Sequence, residues 1–377
     1  MFSDYAIYIR GKDGYFRDRL VDIESVHIIE MLNDPGSWTI NSTTPEPCPF
    51  VAGDGIVVYK NGKYYYSGLL KKVSEEYDGY DHMYKWSAQG ASDLEFLNRR
   101  ICYVDTETGS TTEEAYYTDS GSLGAVVKRL IDRNIGPDAM RIRREPLIAE
   151  TPLVPFAETI SVKLRFQMLL TALVPLLDSQ NCTLLPEWDA DNRKLTFRIH
   201  KSNDLSQLLL FSTELNSVLS VNYLATAPKG NYIMSAGQGE LTERSFAYAE
   251  NAESMEEWGR IEYYHDMRSV EAQDLQTDAD TTLKSYSEEN VGYAADLNTD
   301  AAFLQYRVDW NLGDFIGVVV HGQTMVRRVL QVETSLTYER ETVTPTIGTV
   351  VRGKLVNIFN QLAQLREDYD HLAWVNN

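Results

Sequence analysis

The sequence predicts an α+β protein that is mainly β and carries two copies of one small β-domain. The segment from Gly53-Asp54 to Gly62 reads as a turn, an Ile/Val-rich strand and a Gly loop. The segment from Gly313-Asp314 to Gly322 repeats this pattern 260 positions later (313 minus 53). Further short strands occur at regular spacing near the first hairpin. Helical patterns between the two β-rich regions make the class α+β rather than all-β.

The similarity of the two hairpins has two interpretations. Without a gap, the alignment also pairs Leu69-Leu70 with Val329-Leu330. Any two β-hairpins share part of this pattern, because turns require residues such as Gly, Asp and Asn. The alternative is a duplication of one β-domain within the chain, which is the interpretation that we favour.

Residues 1–104 form the first predicted β-domain. Its strands are separated by the turns Gly11-Lys12-Asp13-Gly14 and Asn33-Asp34-Pro35-Gly36, and the first Gly-Asp hairpin follows a loop with three prolines. A short helix is predicted over 92–100, with Ser92 at its N-cap and two arginines at its end. Several short strands at regular spacing indicate a small barrel or sandwich.

Residues 105–216 form a predicted α+β peripheral domain. Its first part, 105–122, is rich in Thr, Ser and Gly and reads as a linker or exposed loop. Apolar residues on one face predict helices over 122–133 and 162–179. A strand pair around the turn Asp189-Ala190-Asp191-Asn192 completes the domain.

The second β-domain is predicted in two pieces, 217–250 and 306–351. Between them, 251–305 is an acidic and partly helical insertion. In this insertion, His265-Asp266 with Glu262 can be read as a metal site or an acid/base pair, but a solvated charged face is the interpretation that we favour.

The C-terminal segment, 352–377, is predicted to be a helix with a heptad seam. Two alternatives remain open: a coiled coil, for which these residues leave a trimer allowed, or a single amphipathic helix packed on its own domain. The seam positions, at alternating spacings of three and four, are Leu355, Ile358, Leu362, Leu365, Tyr369 and Leu372.

Composition excludes several classes of function. A net charge of −20 argues against nucleic-acid binding and against binding to an anionic membrane surface. No apolar run approaches the ~20 residues of a membrane-spanning helix, and no signal peptide is evident at the N-terminus. The three cysteines, Cys48, Cys102 and Cys182, lie far apart and favour a reduced, cytoplasm-assembled protein.

A search for catalytic motifs finds little. The sequence contains no Gly-x-Ser-x-Gly elbow, no His-Glu-x-x-His pair and no Walker loop, and its six histidines are scattered. We therefore expect no enzymatic activity and no cofactor.

A series of short motifs, in this order, resembles a siphophage tail protein family over nearly all of residues 1–350. The motifs are Asn33-Asp34-Pro35-Gly36-Ser37-Trp38, Gly53-Asp54, Ser67-Gly68, Gly90-Ala91-Ser92-Asp93-Leu94, Asn203-Asp204-Leu205-Ser206, Phe211-Ser212, Gly237-Gln238-Gly239-Glu240, Trp258-Gly259-Arg260-Ile261-Glu262, Val308-Asp309-Trp310-Asn311-Leu312-Gly313-Asp314 and Pro345-Thr346-Ile347-Gly348.

This family is similar in architecture to the central baseplate hub of tailed phages and of related contractile injection machines. The resemblance implies two small tube-type β-barrels per subunit and a homotrimer at the tail tip, assembled in the bacterial host cytoplasm. Six barrels would then match the sixfold tail tube. The implied partners are the tail tube protein, distal tail or baseplate proteins, and a spike or tape measure protein. DNA would pass without specific binding.

Two other functions are kept as alternatives. Related tail proteins often carry a cell-wall endopeptidase, although this usually needs sequence beyond the hub, which we do not expect here. A carbohydrate-binding tail-tip protein is supported only by the richness in Tyr and Trp.

Overall fold

The protein is mainly β. The computed structural model describes residues 4–104, 116–267, 275–287, 290–297, 305–320 and 322–348. Of the strands in these ranges, thirteen join one sheet, and the others form three smaller sheets. The predicted C-terminal helix over 352–377, with all its seam residues, lies outside the described residues. Within the same ranges, no helix combines the length and hydropathy needed to cross a membrane.

The first unit of the large sheet is antiparallel, with strand order β3-β4-β7-β6-β5-β1-β2. In β3 and β4 the buried residues alternate with less buried ones, as expected for strands with one face on a core, and Val26, Ile28, Trp38 and Ile40 fill that core. The strands are β1 Tyr5–Arg10, β2 Phe16–Arg19, β3 Ile23–Met31, β4 Asp34–Thr44, β5 Gly55–Lys60, β6 Lys63–Asp78 and β7 Met83–Ser92. A 3₁₀ helix, Asp93–Arg99, follows with Ser92 as its N-cap, at the place predicted for a short helix.

The peripheral unit packs its two helices onto the first unit, since Val57 and Leu69 of the first unit share a core with them. Its elements are β8 Tyr117–Ser122, α1 Leu123–Asn134, β9 Thr159–Leu164, α2 Leu169–Ser179, β10 Cys182–Asp189, β11 Lys194–Lys201 and β12 Leu210–Phe211. The prediction of α1 and of the β10–β11 pair is confirmed.

The helix predicted over 162–179 is wrong in its first part. Residues 159–164 form β9, which pairs with β8 along its whole length. Their sequence, Thr-Ile-Ser-Val-Lys-Leu, has period two, and the helix begins only at Leu169. Residues 117–122, predicted as part of a linker, form the partner strand β8.

The second unit has strand order β13-β17-β20-β19-β18, again antiparallel throughout, and β12 adds to β18 in parallel. Its elements, with those inserted between β13 and β17, are β13 Val218–Thr226, β14 Tyr232–Ala236, β15 Phe246–Glu250, α3 Ala252–Trp258, β16 Glu262–Asp266, α4 Leu275–Tyr286, β17 Asn290–Leu297, β18 Phe315–Val320, β19 Gln323–Thr337 and β20 Glu341–Gly348. A 3₁₀ turn, Leu241–Glu243, precedes β15.

The division of this region differs from the sequence-based boundaries. The prediction grouped 217–250 with the second β-domain, whereas β14 and β15 form a separate sheet with β16. Conversely, β17 lies within the segment predicted as the acidic insertion but belongs to the large sheet. The insertion therefore extends from the end of β13 to the start of β17.

The two units are joined by β19, which pairs with β3. Among the described residues, the path of strand pairings across the large sheet is open, with β13 at one end. The arrangement is thus one continuous sheet across both units.

Candidate assembly interface

The first Gly-Asp turn is closed by the carboxylate of Asp54. Its Oδ2 accepts the backbone N–H of Val51 at 2.8 Å, while the Asp54 N–H donates to the Val51 carbonyl at 3.1 Å. The Asp54 carbonyl accepts the N–H of Leu70 at 3.0 Å, which ties the turn to β6. Gly53 has φ of 92°, in the left-handed region that favours glycine.

The second Gly-Asp turn has the same set of bonds. Oδ2 of Asp314 accepts the N–H of Asn311 at 2.9 Å, and the Asp314 N–H donates to the Asn311 carbonyl at 3.1 Å. The Asp314 carbonyl accepts the N–H of Val329 at 2.9 Å, and Gly313 has φ of 95°. The Gly residues that close the two hairpins, Gly62 and Gly322, have φ of 74° and 76°. The sequence similarity therefore reflects the same local geometry.

The other carboxylate oxygen distinguishes the two turns. In the first copy, the Arg17 guanidinium donates to Asp54. In the second copy, Oδ1 of Asp314 accepts the N–H of Asn203 at 2.8 Å and lies 3.2 Å from Nε2 of His200. Burial alone would raise the pKa of Asp314, but the hydrogen bonds from His200, Asn203 and Asn311 together lower it. This turn is thus bonded to the peripheral unit.

Beyond the turn, the hairpin alignment changes by one residue. In the first copy the pairing shifts between Val58 and Tyr59, and Tyr65 is the extra residue on β6. The second hairpin pairs without a shift. The ungapped alignment of Leu69-Leu70 with Val329-Leu330 is therefore wrong by one position. Leu70 is equivalent to Val329, and each donates its N–H to the Asp carbonyl of its own turn.

The equivalence extends to five strands of each unit. The order β3-β4-β7-β6-β5 corresponds to β13-β17-β20-β19-β18. The shift in pairing between Leu70 and Lys72 of β6 recurs between Val329 and Gln331 of β19. The shift between Ile23 and Ser25 of β3 recurs between Val218 and Ser220 of β13. Because bulges are defined features of a fold, their matched positions indicate a duplicated five-strand unit.

The junction between the two copies is a seven-pair antiparallel ladder. It runs from Met31 opposite Gln331 to Ser25 opposite Thr337. Across it, Nε2 of His27 lies 2.8 Å from Oε1 of Glu333, and the hydroxyls of Tyr65 and Thr334 lie 2.9 Å apart. Leu336 of β19 lies in the core of the first unit. Sequence reasoning did not single out this ladder; the available signal was the alternation of Val332, Thr334 and Leu336.

A second contact between the copies is an ion pair of Glu30 with Arg307, and Arg307 also lines a cavity of about 400 Å³ between the units. Burial works against the charge of Arg307, but the Glu30 carboxylate and nearby tyrosines raise its pKa. On the same side, Glu341 accepts bonds from Tyr5 and from Lys60, at 2.8 and 2.6 Å. These charges hold the two copies in one orientation.

The histidine considered as a metal or acid/base site has other partners. Nδ1 of His265 lies 3.0 Å from Oδ2 of Asp278, on α4, whereas Asp266 pairs with Arg244 and Glu262 with Arg260. Over the ranges that the structure describes, no three His, Cys, Asp or Glu side chains group as metal ligands would.

Comparison with solved structures places the fold among phage tail proteins. The tail protein of Neisseria meningitidis MC58 superposes with a TM-score of 0.56 at 13% identity, covering 92% of this chain and 96% of that one. The 43 kDa tail protein of prophage MuSo2 from Shewanella oneidensis gives 0.55 at 12% identity, covering 91% and 96%. Prophage tail protein gp18 of Listeria monocytogenes EGD-e gives 0.53 at 15%, covering 97% and 100%. No curated protein matches the sequence.

Sequence comparison agrees with this fold. The model of the family described as Siphovirus ReqiPepy6 Gp37-like protein matches residues 6–349, which confirms the resemblance drawn from the ordered motifs. The chain belongs to the Siphovirus ReqiPepy6 Gp37-like protein family, a family of siphovirus tail proteins.

Proposed function

We propose that this protein is the structural hub of a phage tail or a phage-tail-like injection particle. It forms a trimeric ring with pseudo-sixfold symmetry that joins the tail tube to the spike or tip. The observation that supports this most strongly is the duplicated five-strand unit with its matched bulges and Asp-closed turns. Each copy contributes one small tube-type β-domain, so three chains present six similar units. Such a ring matches a sixfold tube on one side and a threefold spike on the other.

The charge of the chain suits a channel for DNA. A net charge of −20 provides carboxylates that repel phosphate instead of binding it, over a distance of roughly 8–10 Å at physiological salt. We assign part of this charge to the lumen of the ring. A reconstruction of the ring with a neutral or basic lumen would contradict that assignment.

The oligomeric state tests the hub function. Mass photometry of the purified chain should give three times the 42.9 kDa monomer, and class averages should show a ring with six similar lobes. The ring should also bind the tail tube protein encoded with it. A persistent monomer at micromolar concentration that joins neither the tube nor the spike protein would contradict the proposal.

The proposal includes the absence of enzymatic activity. His265 is bonded to Asp278 and to Thr282, which is consistent with a structural role. Zymography against host cell walls should show no clearing by the purified chain. Clearing would favour a cell-wall endopeptidase, and binding of the isolated chain to a glycan array would favour a carbohydrate-binding tail tip.

A further inference from the structure

Two long strands of the large sheet, β13 and β6, have edges that no strand occupies among the described residues. One is the outer edge of β13, which pairs only with β17. The other is the second half of β6, residues 72–78. Strand β5 pairs with β6 only as far as Leu69, and β7 lies on the opposite edge. An open edge presents backbone N–H and carbonyl groups that can pair with another strand.

The equivalents of both edges are paired with each other in the middle of the same sheet. Residues 331–337 of β19 correspond to residues 72–78 of β6, since both stretches follow the matched bulge. Strand β3 corresponds to β13, through the bulge at Ile23 and Val218. Residues 331–337 pair with β3 across the junction of the two copies. The duplication thus supplies a template for pairing β13 with the second half of β6.

Burial shows the effect of a missing neighbour on β6. Val332 of β19 is 0% exposed, whereas the equivalent Val73 of β6 is 37% exposed. Leu336 of β19 is 3% exposed because it lies in the core of the first unit, whereas the equivalent Tyr77 is 51% exposed. The first copy therefore exposes apolar side chains at the positions that the second copy buries.

We propose that β13 of one chain pairs antiparallel with residues 72–78 of a second copy of this chain, in the register of the β3–β19 junction. In this register Asn222 lies opposite Glu76, because their equivalents, His27 and Ser335, lie opposite each other. The contact joins two different surfaces, so it repeats from chain to chain, and in the proposed trimer three such contacts close the ring. The inference rests on the proposed hub function and specifies which strands join its subunits.

Cysteine cross-linking of the full chain tests the register. All variants carry Cys48→Ser, since Cys48 is half-buried while Cys102 and Cys182 are buried. Oxidation of Glu76→Cys/Asn222→Cys should give covalent dimers and trimers, because a disulfide needs Cβ atoms within about 4.5 Å. The matched control, Lys72→Cys/Asn222→Cys, is displaced by four residues on the same strand and should cross-link at least about tenfold more slowly. His27→Cys/Ser335→Cys, the equivalent pair within one chain, should form an intramolecular disulfide.

Mixing single variants shows that the contact lies between chains. Glu76→Cys chains mixed with Asn222→Cys chains should give a covalent dimer that neither variant forms alone. If the chain trimerises but the two double variants cross-link at the same rate, the register is wrong and the hub function stands. If the chain neither trimerises nor cross-links at micromolar concentration, both proposals fail.

Discussion

The carboxylates of Asp54 and Asp314 replace part of the backbone bonding at a turn. Each accepts a backbone N–H three residues earlier in the chain, which fixes the turn immediately before a strand begins. An aspartate in such a turn is common, and its sequence alone does not distinguish a structural role from a chemical one. Asp314 is completely buried and bonded to the peripheral unit, which makes it structural.

Replacing Asp314 should destabilise the protein. Asp314→Ala leaves the part-buried N–H groups of Asn203 and Asn311 without their acceptor, and we expect a loss of about 1–3 kcal/mol in the free energy of unfolding. Asp314→Asn keeps an acceptor oxygen and should lose less. Urea unfolding at pH 7 measures both values. Equal losses in the two variants would mean that these hydrogen bonds are not the cause.

Measuring stability as a function of pH distinguishes the effect of the Asp314 charge from the effect of its shape. Its folded pKa lies below the ordinary value, so its charged form stabilises the fold above the unfolded pKa of about 4. This contribution is lost as the pH falls through the folded pKa. The difference in stability between wild type and Asp314→Asn should therefore shrink as the pH falls below about 4. A difference independent of pH would assign the whole effect to shape.

The two turn glycines should respond differently to alanine. Both have φ near 90°, which a Cβ disfavours by about 1–2 kcal/mol. A Cβ at Gly313 would also lie 2.1 Å from Oγ1 of the buried Thr183, whereas at Gly53 the nearest atom is 3.6 Å away. Gly313→Ala should thus cost clearly more stability than Gly53→Ala in thermal unfolding. The glycines that close the two hairpins, Gly62 and Gly322, serve as controls, because a Cβ added at either would have no atom within 4 Å.

Sequence reasoning identified the duplicated turns but not the details that follow them. Gly, Asp and Asn are required locally, so their pattern survives in the sequence. The extra residue Tyr65 leaves no such mark, because a bulge depends on how β6 pairs with β5 and requires no particular residue type here. Asp314 bonds to Asn203 and His200, which lie more than 100 positions earlier in the chain. Sequence spacing could not reveal these partners.

Among the elements, β19 serves both copies of the repeat. Its first half forms the second hairpin, and its second half pairs with β3 and sends Leu336 into the first core. The prediction of β9 as a helix failed for a related reason, since pairing with β8 outweighs the apolar spacing around Leu164.

Shortening the side chains of the equivalent residues Leu336 and Tyr77 should distinguish effects on folding from effects on assembly. Leu336→Ala removes a buried side chain from the first core, and we expect it to cost about 2–5 kcal/mol in unfolding of the isolated chain. Tyr77→Ala removes an exposed one and should change the unfolding of the monomer by less than about 1 kcal/mol. It should instead weaken association in sedimentation experiments. Unchanged association would argue against a buried Tyr77 in the ring.

The insertion between β13 and β17 should be dispensable for the sheet. The equivalent strands β3 and β4 are linked by a tight turn at Asn33, and the insertion has its own sheet and its own core around Leu275 and Ala279. Replacing residues 227–289 by a short Asn-Gly turn should therefore leave a folded chain. Circular dichroism and cooperative unfolding measure this outcome. A chain that no longer unfolds cooperatively would show that the insertion supports the second unit.

For the whole molecule, charge should oppose assembly. Each chain carries a net charge of −20, so bringing several chains together is repulsive and salt screens the repulsion. The trimer fraction in mass photometry should rise between low and moderate NaCl concentrations. A trimer that dissociates as salt rises would mean that ion pairs between chains outweigh the net repulsion.

The duplication also changes how the two halves can evolve. In a ring of six identical chains, any substitution appears in all six settings at once. Here equivalent positions are encoded separately: Leu69 packs in the core beneath the peripheral helices, while its counterpart Arg328 donates to the carbonyls of Gly313 and Cys182 and to Ser202. The same position can thus hold an apolar core residue in one copy and a hydrogen-bonding residue in the other. In the proposed trimer, this difference would allow one chain to provide both a near-sixfold surface and a threefold set of attachments.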